Sequence, residues 1–221
     1  MELYDVMHTT FAARDFTADP VPDDVIHAIL DHARFAPSGG NRQGWRVIVI
    51  REPSTRAALV PMMRPAAQRY FAQVRAGEAP WNTVHPTRLS ADQIAATEPP
   101  SGFLERLANA PVLLLVLVDL AVVASFDAEL PRVGVISGAS VYPFVWNILL
   151  AARNEGYGGT PTTFVAAREH ELRSLLGIPE QMAVAALIPL GRPVKQLTRL
   201  KRRAVSEFAM LERWDGARLG G

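Results

Sequence analysis

Between Ala36 and Trp45 the chain reads Ala36-Pro37-Ser38-Gly39-Gly40-Asn41-Arg42-Gln43-Gly44-Trp45. Ser38, Asn41 and Gln43 bring short hydrogen-bonding groups. Two adjacent glycines let the backbone bend and approach a partner closely. Such a loop suits a flat ligand with donors and acceptors around its rim. A helix C-cap followed by a turn has much the same composition. A second glycine-rich loop runs Gly156-Tyr157-Gly158-Gly159-Thr160-Pro161-Thr162-Thr163-Phe164. Near the end stands Arg199-Leu200-Lys201-Arg202-Arg203. Clustered cations beside glycine loops suit a phosphate; a solvated basic face is the plainer reading. Five residues without interleaved aromatics make a poor nucleic-acid site.

Reactive side chains are otherwise scarce. The chain has no cysteine, which excludes disulfides, thiolate catalysis and Cys-ligated metal centres. Its five histidines form no HExxH pair or other close metal-ligand pattern. Neither Ser38 nor Ser140 sits in a G-x-S-x-G elbow. The glycines match neither a Walker loop nor a dinucleotide fingerprint. A chain so poor in nucleophiles and bases that still does chemistry borrows it from a cofactor.

The elements that must position these loops follow from periodicity. The 221 residues, nearly half of them apolar, suffice for one domain with a sizeable core. A net charge of +1 marks no global binder of nucleic acid or membrane. The acidic start Met1-Glu2-Leu3-Tyr4-Asp5 is unlike a signal peptide, so a cytoplasmic protein is expected. Helices are predicted over 3–11 and from Asp23 to Arg34, with Val25, Ile26, Ile29, Leu30 and Ala33 on one face. Strands are predicted over 45–51, over 111–118 as a run buried on both faces, and from Met182 to Leu190. A helix begins at 54–60. Prolines 65, 80, 86, 99 and 100 then predict short helices and a long irregular excursion over 64–101. Trp81, Met62, Met63 and Phe103 are candidates to line a pocket from it. No charge interrupts Val133–Ala152, a length that could span a bilayer. Ser137, Ser140, Pro143 and Asn147 favour instead a buried central helix over about 134–154. A further helix is expected over 167–176, and a basic, then amphipathic, tail follows from Lys195. Few strands and several helices predict a small sheet packed by helices on both sides.

In this order the pieces resemble the flavin-dependent nitroreductase family over nearly the whole chain. Ala36-Pro37-Ser38-Gly39-Gly40-Asn41-Arg42-Gln43-Gly44-Trp45 is similar to its signature A-P-S-x-x-N-x-Q-P-W. Arg14-Asp15-Phe16 resembles the end of its opening motif, Asn147–Ala152 with Glu155–Gly158 its long helix and exit, and Lys201-x-Arg203 its closing basic motif. The resemblance implies one α+β domain over 1–221: an α/β sandwich with a small, mostly antiparallel sheet flanked by helices, forming an intertwined homodimer with residues 195–221 wrapped on the partner. It implies FMN between two subunits, NAD(P)H as co-substrate, and small electron-poor substrates such as nitroaromatics, quinones and enones, turned over in two alternating half-reactions. By the same likeness Ser38, Gly39, Gly40 and Asn41 lie at the flavin ring and ribityl chain. Gly159, Thr160, Pro161 and Thr162 cover the ring, Lys201 and Arg203 pair with the phosphate, and Arg14 stands near it. No catalytic side chain and no metal are implied.

Two departures keep alternatives open. The opening motif, often R-x-R-R-S-x-R-x-F, here reads His8-Thr9-Thr10-Phe11-Ala12-Ala13-Arg14-Asp15-Phe16, and Gly44 replaces the proline before tryptophan. A cofactor-poor scaffold dimer and a deazaflavin-dependent reductase are the other expectations that fit.

Overall fold

The computed structural model describes residues 1–220. Its elements run α1 (Leu3–Thr9), α2 (Asp23–Ala33), β1 (Trp45–Ile50), α3 (Pro53–Arg75), α4 (Ala91–Ala95), α5 (Phe103–Ala108), β2 (Val112–Asp119), α6 (Tyr142–Asn154), β3 (Gly158–Gly159), α7 (Glu169–Leu176) and β4 (Met182–Gly191). The strands form one sheet in the order β1-β2-β4-β3, and every ladder is antiparallel. This is the α+β sandwich expected.

β2 shows why. Its side chains alternate across the sheet, as strand geometry requires. Val112, Leu114, Val116 and Val118 pack with α2 and α6. Leu113, Leu115 and Leu117 pack with α3, α5 and α7. A continuous apolar run is what a strand covered on both faces needs. A bulge after Val116 shifts the register against β4, where Ala186 and then Val184 are the partners.

Two expectations are corrected. The predicted break near residue 64 is absent: α3 runs 23 residues through Pro61 and Pro65. Each proline removes one helical hydrogen bond. Burial of Leu59, Met63, Ala66 and Ala67 beneath α3 outweighs that loss, because helices in proteins rest mainly on tertiary packing. The helix expected over 134–154 begins only at Tyr142; a 3₁₀ turn over Ile136–Ser140 precedes it. Gly138 lies under the Tyr142 ring, where a Cβ would stand 2.9 Å from two ring carbons, and Pro143 suits a helix start. The tail from Lys195 is mostly irregular over the described residues. It holds one 3₁₀ turn, Val205–Glu207, and leaves Phe208, Leu211 and Trp214 exposed. No helix among the described residues is long and apolar enough to cross a membrane.

Candidate functional site

The first glycine loop is tied down locally. A 3₁₀ turn spans Gly39–Asn41. The Gly39 amide donates to Ser140 Oγ at 3.1 Å, and the Gln43 amide to Ser38 Oγ at 2.9 Å. Gln43 Nε2 donates to Asn41 Oδ1 at 3.1 Å. Gly40, Asn41 and Gln43 all have positive φ, at 60°, 52° and 49°. Left-handed backbone at non-glycine residues is costly and gathers at functional loops. Gly44 is buried under Val122, whose Cγ2 would stand 2.7 Å from an added Cβ. That close approach accounts for glycine where a proline is usual.

The second loop belongs to a different place. Gly159 pairs with Leu190 and Thr162 with Leu187, so the loop follows the last half of β4. The opening segment joins it: the Ala13 amide donates to Gly159 O at 3.1 Å. Arg14 and Thr160–Phe164 therefore share one cleft of about 720 Å³, whose other walls include Ala66, Tyr70, Phe71, Pro80, Trp81, Phe103 and Leu107. Four of these rings meet edge to face: Tyr70 with Phe71 and Phe164, and Phe103 with Phe71 and Phe164, at 5.1–5.9 Å. That is the usual aromatic geometry.

Donor chemistry in the cleft is simple. Among the described residues Arg14 is the only charged one in the lining, and its one hydrogen bond there is from Nη1 to Ala12 O, at 3.2 Å. The hydroxyls of Thr160, Thr162 and Thr163 and the amides of Thr160 and Thr163 have no partner among the described residues. One cation, free amides and hydroxyls, and an aromatic wall fit a flat, partly apolar group with an anionic end. The volume lies in the range of ligand-sized sites, roughly 300–1,000 Å³. Among the described residues no three His, Asp or Glu side chains converge as metal ligands would.

The predicted site residues thus fall into three groups. Arg14 and Gly159–Thr162 come together. Ser38–Asn41 do not join them: Ser140 binds Gly39 at the start of α6, while Gly158 and Gly159 follow its end. Thirteen helical residues set the two about 20 Å apart. Lys201 and Arg203 lie in the exposed tail and line no part of the cleft. The tail leaves the body beside the opening segment, where Gln196 Nε2 donates to Thr9 O at 3.0 Å.

Of the four pocket candidates, Trp81 and Phe103 line the cleft. Met63 is core, and Met62 packs on the same cluster. Tyr70, Phe71 and Phe164 were not legible as lining. Tyr70 and Phe71 lie on α3 beyond Pro65, a residue that argues locally against a continuing helix and so masks their helical spacing.

The chain matches the Nitroreductase family over residues 9–192. It is 32% identical over 187 residues to an NADH dehydrogenase of Thermus thermophilus, covering 83% of this chain and 82% of that protein. It is 27% identical over 192 residues to an iodotyrosine deiodinase of Thermotoga neapolitana, covering 86% and 88%. A crystal structure of oxidized iodotyrosine deiodinase bound to FMN and 3-iodo-L-tyrosine superposes with a TM-score of 0.66 at 24% identity, over 92% of this chain and 96% of that one.

Proposed function

Since the chain belongs to the nitroreductase family, we propose that it is an FMN-dependent oxidoreductase that reduces small electron-poor acceptors, nitroaromatics, quinones or enones, with NAD(P)H. One observation carries the reading: Arg14 and the open donors of Thr160–Thr163 share a cleft with an aromatic wall. FMN held there would supply hydride transfer between a nicotinamide and the acceptor, so no side-chain nucleophile is needed. The residues bind, orient and tune. Arg14, with Lys201 and Arg203, neutralises the phosphate. The amides of Thr160 and Thr163 supply fixed donors to the ring edge, where negative charge grows on reduction. Ser38–Asn41 reach the same group from a second copy of the chain. Two facts support that assembly. The loops are a helix length apart in one chain, and apolar side chains lie exposed on the Ser38 side of the molecule, Tyr142 and Trp146 on α6 among them.

The visible spectrum of the purified protein tests this. The protein is expected to be yellow, to bleach under NADH or NADPH, and to run at twice the chain mass. A colourless protein that takes up no added FMN would overturn the reading. Arg14 as the lone cation of the cleft favours, as a second reading, a scaffold dimer that has lost the cofactor; steady quinone turnover eliminates it.

A further inference from the structure

The cleft's outer wall is built with more care than a surface excursion needs. α3 ends at Arg75, the chain turns at Gly77 with φ 70°, and Glu78 folds back. Its carboxylate accepts from Thr87 Oγ1 at 2.6 Å and from the Arg88 amide at 2.9 Å. Gln73, 1% exposed, donates to the same carboxylate at 3.4 Å and through Oε1 accepts the Trp81 amide at 2.9 Å. Trp81 is thereby held at φ 52°, a conformation a bulky residue adopts only under constraint. Its indole N–H donates to Ala66 O at 3.3 Å. The Arg69 guanidinium stands 4.2 Å from the ring centroid. Arg69 has no carboxylate partner among the described residues, and its Nε is buried without an acceptor. The indole is what receives this charge. Arg69 itself is outside the cleft lining, whereas Trp81 is in it.

Among the described residues no aspartate or glutamate lines the cleft. An ammonium brought there would lose its water and meet no carboxylate of the lining. We propose that Trp81, pinned by Gln73, is the specificity-determining residue of this site. In this proposal the site selects planar aromatic acceptors that are neutral or anionic, and discriminates against amino-acid zwitterions such as the 3-iodo-L-tyrosine of the deiodinase complex. This substrate class rests on the oxidoreductase reading above; the contact between Trp81 and the ring does not. Gln73 and Glu78 are positioning residues.

The test uses 4-nitrobenzoate, 3-iodo-L-tyrosine and ferricyanide as probes, with Trp81→Ala and Trp81→Phe. Calorimetric titration of the protein as purified reads binding without turnover. The wild type is expected to bind 4-nitrobenzoate at least about tenfold more tightly than 3-iodo-L-tyrosine, and Trp81→Ala to lose about tenfold for the former. Trp81→Phe recovers most of it. In the FMN-loaded protein Trp81→Ala raises KM for 4-nitrobenzoate with the larger share of the loss in KM rather than kcat. It affects ferricyanide, which has no ring to stack, much less. Equal affinity for the two aromatic probes, or equal losses for 4-nitrobenzoate and ferricyanide, overturns the proposal. Should the protein take up no FMN, the oxidoreductase reading falls, while calorimetry still decides the Trp81 contact.

Discussion

The Gly39 amide and the Ser140 hydroxyl meet at 3.1 Å, and this one bond across 101 residues fixes the first glycine loop to the start of α6. Ser140 is nearly buried, so no water readily replaces it. Ser140→Ala is expected to cost about 1 kcal/mol of stability, read as a lower midpoint in urea at unchanged slope. It is also expected to weaken FMN binding from the Ser38 side. An unaltered midpoint would show that the loop does not depend on this contact.

If each binding site takes Arg14 from one copy and Ser38–Asn41 from another, two different defects can repair each other. Arg14→Ala removes the cation. Gly40→Val places a β-branched residue at φ 60°, which it resists. Co-refolded in equal amounts, at an FMN concentration where neither variant binds alone, they are expected to regain about a quarter of wild-type binding capacity. Half of the dimers are mixed, and each of those carries one intact site. No recovery in an equilibrium titration would mean that both loops serve the same copy's site, or none.

Arg14 on its own makes a sharper claim. Among the described residues its one hydrogen bond is to Ala12 O, so Arg14→Ala should leave the thermal midpoint of the FMN-free protein in place. FMN affinity should fall roughly tenfold to a hundredfold, the worth of one charge-assisted contact. A shifted midpoint with unchanged FMN affinity would make Arg14 structural.

Glu78 predicts a pH response. The Thr87 hydroxyl, then the Arg88 amide, hold its carboxyl down to about 2, from an ordinary 4.5. A depressed carboxylate stabilises the fold at pH above its unfolded value and loses that contribution as pH falls through the folded one. The near-UV circular dichroism from Trp81 should thus be flat above about 4.5 and decay toward 2. In Glu78→Gln that acid step should vanish. A wild-type step near neutrality would contradict the assignment.

The prolines of α3 give a stability prediction of the opposite sign. Pro61 is exposed within the helix, so alanine there restores an N–H to the Ala57 carbonyl and removes a ring clash. Less entropy lost by the unfolded chain with proline offsets part of this. Pro61→Ala is expected to gain about 1–2 kcal/mol in urea unfolding.

Sheet, helix faces and both glycine loops were legible because their signals are local: the apolar run of β2, the spacing of Ile26 and Ile29, the paired glycines. α3 was not, because Pro61 and Pro65 argue against a helix locally and only the core beneath Leu59 and Met63 argues for it. The cleft was half legible. Trp81 stands out by type among polar neighbours, but nothing in the sequence says that Gln73 reaches eight residues on to hold its amide. Phe164 joins Tyr70 and Phe103 only in three dimensions. The two-residue strand Gly158–Gly159 has no side chains to display a period, so pairing with β4 alone reveals it.

The alternation of side chains along β2 leaves the molecule without a seam. Both helical layers rest on opposite sides of the same backbone, so stripping either one wets the strand the other leans on. Neither half has a foundation of its own. Proteases meeting this chain should therefore trim the tail and then digest everything, with no durable half-molecule in between.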